Sequence, residues 1–528
     1  MIRYSAAFTD YIWGGTKLNK KDVETEIMKV INIMNFVRAD DYRYDPTGDK
    51  MFNATKAELE VVKKQGVDNT FLLQYDAVID PRYISLFKNE ADDRTELGLW
   101  YEIVRPLTNK LGLPWRGEPT SNWDWHIVPG FSMAYTQEER KLLADAAMDG
   151  FKAVYGYYPK TVASWLIDSF TMEYLSENYD ISAFAVCRDQ TNTDAYTLVG
   201  GYFNQGYYPS KKNMFTPAQT KSMQINVPVF RLLGPDPIHS YAPETYEADM
   251  PDCLENSIYT LEAVGGMTFS LPSSVDWYYR TYFVNEDMGF SYAQIGQENN
   301  FARNTLGKSI NFLIEKGKEY DGVRFMKMCD TGEAFKNRYE QTPATAISAL
   351  DNWVPGHEDK LQSVFYNCKN YTANIFRCEN RIFIRGLYLF DETVEDYYLE
   401  QPCTTWDAMY ENLPVVDTAV WQNNGGMLID TEGVPFSVKK VAESELLVFW
   451  ADKAVVFSEN RIVVENAELS FDISGANAAI EVCGNKIGYS YKGKKYALKT
   501  ETATVTKTGN VISVKSDKRK ILLEFIRE

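Results

Sequence analysis

Histidine is scarce in this 528-residue sequence, which has only His126, His239 and His357. They stand too far apart for the H-E-x-x-H or H-x-x-x-H spacing that puts two imidazoles on one metal. A histidine-rich zinc centre is therefore excluded, while a mixed Asp/His site stays open. The seven cysteines are dispersed, odd in number and without a C-x-x-C pair. That is neither a disulfide framework nor a zinc ribbon, and they read as free thiols of a reducing compartment or as small buried apolar residues. No run of 18 or more uncharged apolar residues occurs, so no transmembrane helix is expected. No secretory leader is expected either, because the segment from Met1 reads as strand-like, with no continuous apolar region or cleavage site. The compartment stays open between the cytoplasm and, if a leader has been removed, the periplasm or exterior. Also absent are the Walker loop, the Rossmann glycine fingerprint and the G-x-S-x-G elbow, which leaves nucleotide-driven and serine-hydrolase chemistry unsupported. Basic clusters are short, as at Lys20–Lys21 and Lys518–Lys520, in a chain of net charge −18. Such a chain repels phosphate backbones and anionic lipid, so neither nucleic acid nor a membrane surface is expected as a partner.

What is plentiful is aromatic surface. Phe, Tyr and Trp make up 14% of the chain, and tyrosine leads with 35 copies. Tyr and Trp present an apolar face and a polar tip, which suits the apolar face and hydroxyl edge of a sugar. A well-packed α/β core uses the same residues, so composition alone leaves both readings open. The apolar share of 45% and charged share of 24% are ordinary for a globular chain. The length suits one large domain followed by a smaller one.

Up to about residue 340 strand-like and helix-like segments alternate. Ile2–Phe8 and Thr70–Tyr75 (TFLLQY) read as strands, and Val23, Ile27, Val30, Ile31 and Met34 recur at helical spacing. His126–Tyr135 reads as a strand bent at Pro129-Gly130. Thr136 and Glu139 then make a capping box for a helix carrying Leu142, Leu143, Ala146, Phe151 and Val154. Val162–Ile167, Ile181–Cys187, Val227–Leu233, Met267–Leu271 and Val323–Met328 bring the strands to seven or eight. Strands separated by helices imply parallel pairing through right-handed crossovers, and this number implies a closed barrel rather than an open sheet. Beyond Pro343 short alternating strands take over, among them Arg381–Leu389, Leu446–Trp450 and Ile521–Ile526. Turn signals stand at Asn424-Gly425-Gly426 and Lys492-Gly493. The expected class is α/β: a catalytic (β/α) barrel of seven or eight parallel strands over 1–345, then a C-terminal antiparallel β-sandwich-like domain over 346–528.

Parallel barrels build their sites at the carboxyl ends of strands and in the loops that follow. That rule selects Asp10, Asp76, His126, Asp168, Arg188, Asp189, Arg231, Asp236 and Asp330, with Gln297 and Glu298 on the 285–305 connection. Gln74, at the end of its strand, is a further substrate-binding candidate. A strand-end Asp is often a helix N-cap, and Asp168, just before Ser169, suits that job. His126 lies in WDWHIVPG beside two tryptophans. It reads either as a satisfied core residue or as a titratable group that protonates a leaving group. The irregular segment 187–219 is rich in Tyr, Asn, Gln and Gly, as binding loops are. Tyr196, Tyr202, Tyr207 and Tyr208 could serve there as stacking platforms or pack the loop on itself. Arg188 and Arg231 close consecutive strands. Together they suit bidentate capture of a carboxylate, unless Asp189 or Asp236 pairs them internally.

With TDYIW around Asp10, WDWHIVPG around His126, a barrel and a trailing β-domain, the chain resembles the barrel hydrolases related to family 57 and 38 glycosidases and polysaccharide deacetylases. Within that group it resembles the inverting exo-sialidases of glycoside hydrolase family 156. The resemblance implies a sialylated glycan substrate and a single displacement, with His126 as acid, Asp10 as the base that activates water, and neither metal nor other cofactor. A base acting through water suits a sugar whose anomeric carbon already carries a carboxylate, and inverting pairs stand about 6.5–9.5 Å apart to leave room for it. The deacetylase H-x-x-x-H spacing is missing, and Val128 stands where metal-dependent mannosidases have Asp. Three other readings remain. One is a neutral-sugar glycosidase using two carboxylates, such as Asp168 with Asp236 or Glu298. Another is a metal-dependent deacetylase-like hydrolase using Asp10, Asp76 and His126, and the last is a glycan-binding barrel without chemistry. A homodimer is the expected assembly.

Overall fold

The computed structural model describes residues 28–193, 195–233, 236–238, 272–285, 288–296, 298–303, 305–353, 358–418 and 426–527. Eight parallel strands form the first sheet. They are β1 (Met28–Val37), β2 (Asn69–Gln74), β3 (Thr95–Trp100), β4 (Thr161–Ala163), β5 (Ala183–Cys187), β6 (Val229–Leu232), β7 (Phe290–Ile295) and β8 (Val323–Met326). The spatial order is β6-β5-β4-β3-β2-β1-β7, with β8 beside β1. This is a nearly closed barrel, as expected from strands alternating with helices. Apart from the first residues of β1 and β3, its inner strands are buried, because helices cover a parallel sheet from outside.

β1 corrects the helical reading of Val30, Ile31 and Met34. Residues 30–37 are all buried, and a strand buried on both faces shows no two-residue alternation, so a three-to-four spacing can be read into it by chance. Its first half pairs with β8 (Lys29 opposite Val323) and its second half with β2 (Met34 opposite Thr70). The carboxyl end of β8 therefore reaches only the level at which β2 begins. β3 and β7 were not legible in advance. In β3, Gly98 breaks the apolar run because β2 and β4 crowd it: a Cβ there would lie 2.8 Å from Leu72 Cδ2 and 2.9 Å from the Thr161 carbonyl. Ile2–Phe8, Val23, Ile27 and Met267–Leu271 lie outside the described residues. The capping box is present in full: the Thr136 hydroxyl accepts from the Glu139 amide, and Glu139 accepts from the Thr136 amide, at the head of helix Gln137–Tyr155. Leu142 of that helix is 52% exposed, unlike Leu143, Ala146 and Phe151.

From Thr345 onward the strands pair antiparallel in two large sheets, which close over a common apolar core. Lys492 and Gly493, both at positive φ, turn the chain between Lys486–Tyr491 and Lys494–Lys499, the backbone that a two-residue hairpin requires. One segment of this region leaves the sandwich and runs back over the barrel. Strand Ala408–Glu411 pairs in parallel with Tyr196–Val199 of the irregular 187–219 segment. Among the described residues no helix is long and apolar enough to cross a membrane.

Candidate active site

The loops after β1, β3, β4 and β7 open on a small cleft. At its base Phe36 and Trp100 stack at 4.4 Å, and Trp165 meets both edge-on at 5.1 Å. Arg38, the first residue beyond β1, is 1% exposed. Its Nε and Nη2 donate to the two oxygens of Glu102 at 3.1 Å each, and its Nη1 donates to Glu298. Gln74 donates its amide to Glu102 from the end of β2. The guanidinium lies 4.1 Å over the ring of Trp123, whose edge of the cleft is shared by Arg43 at 4.7 Å. Glu102 follows β3 and Glu298 follows β7, so the barrel's curvature brings onto one arginine two carboxylates almost 200 residues apart in sequence.

Burial pushes the Glu298 carboxyl above its ordinary range; Arg38 pulls it back, and Glu102 adds to the rise. Burial also works against the charge on Arg38, but Glu102 and Glu298 outweigh it and hold the guanidinium protonated. One carboxyl of the cleft is thus disposed to keep its proton beside a second that is anchored by three donated hydrogen bonds. Arg43 is paired in its turn with Asp41, at 3.0 and 3.1 Å.

At the rim, His126 does not sit in a strand. It precedes the short helix Ile127–Gly130, and its Nδ1 lies 2.7 Å from Asp124 Oδ1. The strand reading of 126–135 fails because Asp124 takes the His126 amide as well and Pro129-Gly130 closes a helical turn. Asp124 is buried and also accepts from the Glu118 amide, which fixes the carboxylate. The imidazole stacks on Trp125 at 3.9 Å and meets Trp406 edge-on at 4.7 Å. With Nδ1 on the carboxylate, Nε2 is the nitrogen left for chemistry, the arrangement of an acid–base histidine held in one tautomer.

The other candidates fall into two groups. Gln74, Tyr196 and Glu298 line or reach the cleft. Asp76, buried behind it, accepts from the Ala39 and Ala77 amides, and burial, with Asp40 adding, pushes its carboxyl to about 8. The rest are used by the fold. Asp168 caps helix Ser169–Asn178 and binds Arg140 at 3.0 Å. Asp236 accepts from Trp353 and from the Ile238 amide. Arg231 is 1% exposed and binds Asp189 at 2.7 Å, the Cys187 carbonyl and the Tyr202 carbonyl, while Arg188 donates to the Asp189 carbonyl. Arg231 thus meets an internal carboxylate, whereas Arg188 meets a backbone carbonyl. Tyr202 donates to Pro343, Tyr207 to Met214 and Tyr208 to Tyr339, and the first two stack at 5.5 Å. Asp330 is displaced from the mouth because β8 is set low: it starts helix Met328–Arg338 beside Lys327, whose ammonium reaches Asp93 before β3. Asp10 and Gln297 lie outside the described residues. Sequence reasoning missed Arg38, Glu102 and Trp406. Correct bounds for β1 and β3 would have exposed the first two as strand-end residues.

Among the described residues no group of three or more His, Cys, Asp or Glu side chains is placed to hold a metal ion. No protein-family model matches the chain, and no curated protein matches it significantly. Solved structures do. A Parabacteroides distasonis protein provisionally named a glycoside hydrolase/deacetylase is 13% identical, with TM-score 0.54, over 74% of this chain and 92% of its own. A provisionally named polysaccharide deacetylase from Mycobacterium smegmatis is 10% identical, with TM-score 0.34, over 60% and 94%. A 4-alpha-glucanotransferase from Thermococcus litoralis is 8% identical, with TM-score 0.32, over 95% and 100%. The first of these likenesses is close enough to show that the chain shares its barrel fold.

Proposed function

We propose that the chain is a carbohydrate hydrolase that cleaves a glycosidic bond of an uncharged sugar in the Arg38 cleft. The observation that carries this reading is the pair of carboxylates, Glu102 and Glu298, held on one buried guanidinium between tryptophan walls. Glu298, whose carboxyl burial shifts above its ordinary range, is the donor to the glycosidic oxygen. Glu102, oriented by Arg38 and Gln74, faces the anomeric centre as nucleophile or as base toward water. The charges argue for a neutral substrate. Arg38 and Arg43 meet three carboxylates, Glu102, Glu298 and Asp41, so the described part of the cleft offers an incoming carboxylate no unpaired cation. The shared fold with a protein named as a glycoside hydrolase/deacetylase supports a carbohydrate substrate.

One observation favours a second reading, the inverting exo-sialidase with His126 as acid and Asp10 as base: the His126–Asp124 pair is built as an acid–base unit. A single panel separates the two. Neutral 4-nitrophenyl glycosides, α2,3- and α2,6-sialyllactose and an acetylated chito-oligosaccharide are incubated with wild type, Glu298→Gln and His126→Ala, with and without chelator. The expected result is chelator-resistant release of a neutral sugar. It falls about 10²–10⁴-fold in Glu298→Gln and, in wild type, falls as pH rises through the raised Glu298 pKa. Sialic acid release that depends on His126 would replace the proposal by the second reading. Chelator-sensitive acetate release would replace it by a deacetylase.

A further inference from the structure

We infer that Trp406, carried to the barrel from the C-terminal region, is a sugar-binding platform just outside the cleft, so that the substrate is an oligosaccharide whose chain continues past the cleaved bond. The inference rests on the carbohydrate reading above and gives it a length. Trp406 is 53% exposed. Single exposed apolar side chains are common and need no purpose, but three features set this one apart. Its ring meets His126 edge-on, and His126 stacks in turn on the cleft-lining Trp125, so three aromatic rings in series link the cleft to this exposed indole. Its backbone is pinned to the barrel: the Ile127 amide donates to the Trp406 carbonyl at 3.1 Å.

The third feature is that both flanks are anchored too. The Cys403 amide donates to the Met133 carbonyl at 2.8 Å, and the Ala408 amide donates to the Ala195 carbonyl at 2.9 Å. Upstream, Arg140 donates to the Tyr398 carbonyl at 2.7 Å and Gln137 to the Leu399 carbonyl at 3.0 Å. An indole carried on a backbone held this firmly and set against His126 has little freedom to lose when a ring settles on it, which is what makes a rigid aromatic an effective contact. The chemistry suits a pyranose, whose axial C–H face is apolar and whose rim hydroxyls reach outward to water.

Trp406→Ala and Trp406→Phe are compared with wild type on two substrates with the same scissile sugar. One is the 4-nitrophenyl monoglycoside cleaved best in the panel above; the other is the matching unsubstituted hexasaccharide. Trp406→Ala is expected to raise KM for the hexasaccharide about tenfold, equivalent to about 1.4 kcal/mol. Its kcat/KM on the monoglycoside stays within twofold, and Trp406→Phe recovers part of the loss. Binding of the hexasaccharide to Glu298→Gln, titrated by calorimetry with and without Trp406→Ala, checks the same difference without turnover. Equal KM and equal binding in Trp406→Ala would overturn the platform while leaving the hydrolase reading standing. Activity on monoglycosides with no hexasaccharide binding in either background would overturn it too. No hydrolysis of any neutral sugar by wild type would instead sink the reading beneath it.

Discussion

Two arginines of this barrel are equally buried and differently employed. Arg38 and Arg231 are each 1% exposed, and each is ion-paired to a carboxylate at a strand end. Arg231 meets Asp189 and two backbone carbonyls under the packed tyrosines of the 187–219 segment, with Phe215 at 4.9 Å. Arg38 meets Glu102 and Glu298 beneath an open cleft walled by tryptophan. A buried ion pair therefore does not mark a site by itself; what distinguishes the two is access and the count of charges. At Arg231 one cation faces one carboxylate. At Arg38 one cation faces two, which leaves one carboxyl with a reason to keep its proton.

The sharpest test of this contrast removes each guanidinium. Arg231→Leu strands Asp189 in the interior and is expected to cost about 3–5 kcal/mol of stability. The protein that remains folded should still turn over, as urea melts and activity per folded molecule will show. Arg38→Leu leaves two carboxylates facing each other, so it should lose activity at least as much as stability. Equal loss of activity per folded molecule in both would erase the distinction.

A smaller effect comes from behind the cleft. The Asp76 carboxyl, held at about 8 in the folded protein against an ordinary carboxylate value when unfolded, stays protonated longer in the native state. The folded protein then binds more protons than the unfolded chain between those two values, so the stabilisation is complete below the unfolded pKa and is lost as pH rises through about 8. Asp76→Asn, which stays neutral, should melt close to wild type near pH 4 and progressively higher than wild type as pH approaches 8. Melting temperatures across pH 4–9 check this, and a constant difference would place Asp76 in its ionised form throughout.

The barrel was legible because helices and strands alternate at parallel-crossover spacing, and the sandwich because its strands are short and turn-bounded; Arg381–Leu389 stands as the sequence suggests. The site was less so, for a physical reason. A strand-end filter is only as good as the strand ends. In β1 the run VINIMNFV is buried on both faces, with Asn32 and Asn35 three residues apart, and carries no two-residue period, so its end at Val37, and Arg38 after it, went unseen. In β3, Gly98 and Glu96 disguise a buried strand: Glu96 is spent on Thr70 and Thr161, contacts that no local pattern encodes. Asp168, by contrast, was readable as a cap because capping is local, and it caps. His126 was found by its neighbours Trp123 and Trp125, although its partner Asp124, two residues away, was overlooked.

The parallel pairing of Ala408–Glu411 with Tyr196–Val199 joins segments more than 200 residues apart. During synthesis the barrel strands are complete some 80 residues before Trp406 is made. Until then Tyr196–Val199 has an unfilled edge and His126 lacks its outer neighbour. Closing so long a loop adds little to its entropic cost but delays the contact. The aromatic rim beyond the cleft is therefore the last part of this face to assemble, and a nascent chain carries Arg38, Glu102 and Glu298 for some time before Trp406 settles beside His126.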